Sequence, residues 1–176
     1  MASSSAAPNF NFPEKKPSAS EKALIDDICQ LYQLKPVTSA YAHYDQKATF
    51  HDPVSIAEGL ESIKAQFNGM PSIFSSSVTK ALKVLDNPEV KPPSVQFSLS
   101  QDYTFKGIGT QKLVDSLITL HVDPSTNLIT LHEEQWDGKE NSTGEGGFFG
   151  KLNELRKKSM AGMINMGVSS TPKDQQ

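Results

Sequence analysis

An α+β fold, with a cone-shaped, curved antiparallel sheet packed on N-terminal helices, is predicted from three observations. Helical spacing of apolar residues occupies 21–34, before any long strand begins. Period-two alternation then dominates from about residue 74 to 138. A strand–turn–helix unit, ATFHDPVSIAEGLESIKAQF at 48–67, joins the two halves. Helices gathered ahead of a run of strands define an α+β layout with the helices on one face of the sheet. Long strands bent around few helices leave a conical space, and the mouth of a cone is a natural pocket.

The first helix is carried by Leu24, Ile25, Ile28, Leu31, Tyr32 and Leu34, with Ser20 as its expected cap and Pro36 as its stop. VTSAYAHY reads as a short second helix or turn. KATFHDP is the first strand, and Gly59 starts a turn into a third helix that turns Leu60, Ile63 and Phe67 inward and closes at Gly69 and Pro71. Strands are expected over 74–86, 94–106, 110–123 and 128–138. In the second of these Val95, Phe97, Leu99, Tyr103 and Phe105 alternate with polar residues, so one face is expected to be buried. In the third, Val114, Ser116, Ile118, Leu120 and Val122 share a face, and DPSTN after it is a hairpin turn.

The flanks read differently. Residues 1–20 are rich in Pro, Ser and Lys and are expected to be a disordered tail, leaving 21–140 as the folded domain. Over 146–167, Phe148, Leu152, Leu155 and Met163 recur at helical spacing opposite Lys151, Lys157 and Lys158. That is an extra amphipathic, basic helix, open to three roles: a lid over the cone, a contact with a second subunit, or attachment to an anionic membrane surface. Residues 168–176 read as a second tail.

Composition narrows the function classes. Seventeen Lys and Arg against 20 Asp and Glu leave a net charge of −3, the wrong sign for a general nucleic-acid binder. Cys29 is the only cysteine, so no intramolecular disulfide forms, which fits a reducing, cytoplasmic setting. The N-terminus lacks the basic start and apolar core of a secretory signal. No cysteine-rich metal spacing, phosphate loop or nucleophile elbow is present, and no cofactor is expected.

The run YAHYDQKATFHDPVSIAEGLESIKAQF resembles the nuclear transport factor 2-like superfamily, which includes ketosteroid isomerases, scytalone dehydratase and SnoaL-like polyketide cyclases. The resemblance rests on Tyr44 or Tyr41, the polar turn 45–47, Ala48, Phe50, Asp52, Pro53, Gly59 and the helix after it, and extends to the last hairpin and Trp136. It covers roughly residues 22–137 and implies a cystatin-like α+β barrel, but this fold hosts many unrelated activities. By resemblance, Asp52 stands where ketosteroid isomerases hold their catalytic base, and Tyr32 where they hold an oxyanion-donating tyrosine. By the same resemblance, the place of their second donor, a carboxylic acid, falls at Ile118 or a neighbour; Ile118 cannot donate, so the steroid isomerase mechanism is not expected intact.

The residues themselves leave two roles open to Asp52. Strand alternation puts it on the face of Phe50, where desolvation would suit a general base. An Asp before a Pro also binds the amides of the following turn. On the last strand His132, Glu134 and Trp136 share a face; inward, they form a proton-transfer or metal-binding set, and otherwise Ile129 and Leu131 are the buried face. Phe50, Phe97, Leu99, Tyr103, Ile118, Glu134 and Trp136 are the expected ligand contacts, with plain core packing as the competing account. His121 belongs on the outer sheet surface, which in this superfamily often makes the dimer. Three functions stay open: a small hydrophobic-molecule binder, a cofactor-independent lyase or isomerase using Asp52 as base with Tyr32 or His132 as donor, and a non-catalytic interaction module.

Overall fold

The computed structural model describes residues 11–136, together with Glu154, Lys157, Lys158 and Asp174. The C-terminal helix expected over 146–167 and the tail after it lie almost wholly outside the described residues. Three helices and six strands follow in the order α1 (Ala19–Tyr32), α2 (Thr38–Tyr41), β1 (Tyr44–Asp52), β2 (Ser55–Glu58), α3 (Leu60–Ile73), β3 (Phe74–Val84), β4 (Val95–Phe105), β5 (Gln111–Val122) and β6 (Ile129–Trp136). The strands form one sheet in the order β2-β1-β6-β5-β4-β3. Every neighbouring pair is antiparallel except β1 and β6, which run parallel, so the sheet is mixed. That pairing joins the ends of the domain and sets Phe50 opposite His132. Among the described residues no helix is long and apolar enough to cross a membrane.

Helix α1 is capped by Ser18, not by Ser20. The Ser18 hydroxyl accepts from the Glu21 amide at 3.2 Å, and the Glu21 carboxylate accepts from the Ser18 amide at 2.8 Å. Ser18 wins because a glutamate stands three residues on, where it can reach back; from Ser20 that position is Ala23. Ser18→Ala is expected to cost about 1 kcal/mol in urea denaturation, with Ser20→Ala near neutral. The tail is also shorter than expected. Glu14 bridges to Leu85, and the Lys15 amide donates to the Val84 carbonyl at 2.9 Å, tying 13–15 to the end of β3.

At its other end α1 stops at Tyr32, ahead of Pro36. The Leu34 amide donates to Leu31 and the Lys35 amide to Gln30, a Schellman closure with Leu34 at φ 62°, where glycine is usual. The side chain stays because Leu34 packs on the core.

Strand β2 was not legible beforehand. Asp52 pairs with Ser55 across a two-residue turn, so the chain after Pro53 folds straight back as a hairpin. Gly59, at φ 83°, then leads into α3, its amide donating to the Ala48 carbonyl at 2.8 Å. Helix α3 passes Gly69 and Pro71 and ends at Ile73, with the Phe74 amide closing on the Met70 carbonyl.

The core fills the cone with Ile25, Ile28, Leu31, Phe50, Ile63, Phe67, Phe97, Leu99, Ile118 and Leu120 among others. Strand β4 departs from one-face burial, since Gln96, Ser98 and Ser100 on its outward row are buried too. Flanked by β3 and β5, these short polar groups are covered by cross-strand partners. Gln96 donates to Thr119 at 2.9 Å, and Ser100 bonds Asp115. His121 lies on the outer surface with Glu133, 2.7 Å away and half exposed.

Candidate active site

A parallel partner and a bulge decide which face of β6 looks inward. The register shifts between the Val122–Ile129 and His121–Leu131 pairs. The bulge brings Ile129 to the side of the row His132, Glu134, Trp136, all of them buried, while Leu131 is only partly buried, so the expected alternative with Ile129 and Leu131 inside fails at Leu131.

The row meets hydroxyls from three other elements. Tyr32, at the last turn of α1, places its phenol 3.0 Å from His132 Nε2 and donates to Glu134 Oε2 at 2.9 Å. Tyr44, which opens β1, lies 2.7 Å from His132 Nδ1. Ser116 on β5 and the Trp136 indole donate to Glu134 Oε1 at 2.6 and 2.7 Å. All of these residues are buried, His132 completely. Phe50 closes on the imidazole edge-to-face at 4.9 Å, and Phe67 stacks at 6.2 Å.

Tyr32 is held from behind. Its carbonyl, unpaired at a helix end, accepts from Ser77 Oγ at 2.8 Å and Gln101 Nε2 at 3.4 Å. Gln101 bonds Ser77 and Thr79 in turn, a clasp from β3 and β4 that fixes the end of α1.

Asp52 reaches the same interior from β1 and is 1% exposed. Its Oδ1 accepts from the Val54 amide at 2.9 Å, the Ser55 amide at 2.8 Å and the Ser55 hydroxyl at 3.0 Å. Oδ1 serves the turn, and the carboxylate is close enough for its charge to act on Glu134. Ser55 also accepts from Gln66 of α3 at 3.1 Å. Gln66 lines an open cleft of about 520 Å³ with Ile56, Ala57, Glu58 and Ser62, so solvent approaches within two residues of Asp52.

Burial sets the charge states. Desolvation drives His132 down to about 3, so the ring is neutral. Glu134 is pushed up by desolvation and then by Asp52, against the pull of its three donors. Burial first, and the Glu134 charge after it, holds Tyr32 well above the phenol range; Tyr44 is raised by burial, then by Tyr41 and Glu134.

The His132 shift carries a pH prediction. An unfolded chain protonates this imidazole near 6.5, whereas the folded one resists to about 3. Between those values the unfolded state binds more protons, so stability falls as pH drops. Glu134 acts oppositely, since the folded state holds its proton above 4.5 and stability falls as pH rises past that value. Urea denaturation across this range is expected to show a shallower acid-side loss in His132→Asn than in wild type; parallel curves would place the titration elsewhere.

Of the residues expected from sequence, Asp52, Tyr32, His132, Glu134 and Trp136 converge. Phe97, Leu99 and Ile118 are packed core with no exposed surface, so a ligand touching them displaces side chains. Tyr103 packs on Phe74 at 4.7 Å. Ile118 pairs across strands with Glu134, so a carboxyl group stands one strand over from the expected position. Tyr44, Ser116 and the Gln101–Ser77 clasp were missed. Ser116 left a signal, as a lone hydroxyl in an apolar stripe. Of the two motif tyrosines, Tyr41 instead donates to Asn68 at 2.8 Å. Among the described residues no three His, Cys, Asp or Glu side chains gather to hold a metal ion.

No family model matches the sequence, and no curated protein does. Solved structures do match the fold. One is a steroid delta-isomerase from Pseudomonas aeruginosa, 12% identical, with TM-score 0.54 over 86% of this chain and 96% of that one. Another, assigned as a SnoaL-like polyketide cyclase from Shewanella denitrificans, is 12% identical, with TM-score 0.56 over 81% and 99%. A third of the same assignment, from Shewanella putrefaciens, is 9% identical, with TM-score 0.55 over 86% and 88%. The class that fold and site define is an α+β cone with a buried polar cluster. In particular, the fold is the one seen in solved SnoaL-like and nuclear transport factor 2-like structures.

Proposed function

We propose that this chain is a cofactor-independent lyase or isomerase that moves a proton on a small hydrophobic molecule within the cone. The observation that carries the reading is the buried polar cluster. Seven polar side chains (Tyr32, Tyr44, Asp52, Ser116, His132, Glu134 and Trp136) are withdrawn from water and bonded there, at a cost that apolar residues would avoid. Two carboxyl groups in unlike surroundings divide the labour of base and acid. Asp52, oriented by the turn amides at Oδ1, is the base. Tyr32, whose hydroxyl hydrogen points to Glu134 or His132 in the free protein, turns it to a developing oxyanion when substrate binds. Phe50, Phe97, Leu99, Tyr103, Ile118 and Trp136 give way to seat the apolar body of the substrate.

The competing reading, a non-catalytic interaction module, is favoured by the completeness of the packing. Proton exchange separates the two. Cyclic ketones such as 1-indanone and a β,γ-unsaturated cyclohexenone are incubated with the full chain in D2O and followed by proton NMR. Exchange at the α-carbon about 10²-fold above buffer is expected, the scale of a positioned base. Background exchange with a raised melting temperature would leave a binder; neither effect would leave the interaction module.

A further inference from the structure

The hydrogen-bond chain through the cone has a direction, and counting hydrogens determines it. The Trp136 indole can only donate, so Glu134 Oε1 accepts from it and from Ser116. With Glu134 ionised, Oε2 also accepts, and Tyr32 spends its single hydrogen there. The contact at 3.0 Å between the Tyr32 oxygen and His132 Nε2 must then be filled by a hydrogen on Nε2. A neutral imidazole carries one such hydrogen, which makes Nδ1 the acceptor and Tyr44, at 2.7 Å, its donor. Each step has one solution.

We infer that ionised Glu134 claims the Tyr32 hydrogen and so locks His132 as the Nε2–H tautomer, with Tyr44 a positioning residue that donates to Nδ1. The charge of Glu134 and the tautomer of His132 are then one variable. When the site takes up a proton, Tyr44 passes its hydrogen to Nδ1, Nε2 passes its own to Tyr32, and Tyr32 passes its own to Oε2. The incoming proton restores the Tyr44 hydroxyl. One proton enters, Glu134 becomes neutral, and every bond in the chain reverses. The Tyr32 hydrogen now lies on the His132 side, free of the carboxylate. The titratable groups facing the chain are Tyr32 from α1, Tyr41 from α2, Tyr44 and Asp52 from β1, Tyr103 from β4, and His132 and Glu134 from β6. The neutral state of His132 agrees with the scheme. The use of this coupling in proton transfer rests on the catalytic reading above; the tautomer itself does not.

The ring nitrogens of His132 report the answer by ¹⁵N NMR on the full chain without ligand. At alkaline pH the wild type is expected to show a pyrrole-type Nε2 and a pyridine-type Nδ1. Glu134→Gln is expected to invert them. Its amide oxygen must face the Ser116 and Trp136 donors, which leaves the amide hydrogens for Tyr32 and turns the Tyr32 hydrogen toward Nε2. Tyr44→Phe is expected to keep the tautomer but to shift the pyridine-type Nδ1 resonance, which loses its hydrogen-bond donor. A pyrrole-type Nδ1 in alkaline wild type, or the same tautomer in wild type and Glu134→Gln, overturns the direction. An unchanged spectrum in Tyr44→Phe overturns the role of Tyr44. Should a variant fail to fold, the wild-type spectrum decides the direction alone. Predicted tautomers without ketone exchange would uphold the chain and remove the enzyme.

Discussion

Asp52→Asn is expected to lower α-proton exchange by about 10²-fold or more while leaving the fold intact. Asparagine keeps an oxygen where Oδ1 accepts from Val54 and Ser55, so the hairpin turn into β2 survives. What disappears is a carboxylate able to take a proton. The substitution also removes the charge beside Glu134, whose carboxyl should titrate closer to the ordinary range. Exchange rates and the urea midpoint are therefore to be read together. Lost exchange with an unmoved midpoint identifies the base. Unchanged exchange would reduce Asp52 to a turn residue, whatever the midpoint does.

The second large effect is on stability. Phe67→Ala is expected to cost about 3–5 kcal/mol, the usual range for deleting a fully buried phenyl ring. Phe67 is 2% exposed and meets three rings at once: Tyr32 at 5.6 Å, Phe50 at 5.3 Å and His132 at 6.2 Å between centroids. Its removal leaves a hole against the imidazole, in a shell held on other sides by hydrogen bonds, so collapse around it is limited. Urea denaturation measures the loss. A cost below about 1 kcal/mol would mean that the shell closes freely and that the cone is loosely filled. In that case the variant should not gain affinity for small aromatic ketones; a rigid shell should.

Much of the fold was legible because its signals are local. The four long strands follow from period-two alternation, and α1 from helical spacing. Errors came where two local rules competed. At the start of α1 the reciprocal bond from Glu21 selected Ser18 over Ser20. At the end of α3, burial of Met70 and Ile73 outweighed the bond that Pro71 removes. Strand β2 has only four residues and a half-exposed pattern, too little periodicity to register. On β6 a one-residue bulge brought Ile129 and His132 to the same side, which strict alternation forbids.

The site divides in the same way. Glu134 and Trp136 share a face with His132 by strand period alone, and Asp52 stands beside its proline in the chain. Residue order thus determined the helix-then-strand layout, which residues of a strand share a face, and the chemical types available. Only the tertiary structure decided that Tyr32, Tyr44 and Ser116 bond those rows. Tyr32 and His132 are 100 residues apart and Tyr44 and His132 are 88 apart, and no periodicity reports on such distances. The parallel pairing of β1 with β6 and the docking of α1 across the cone bring them together, because burying each apolar face leaves its polar members no partners but one another.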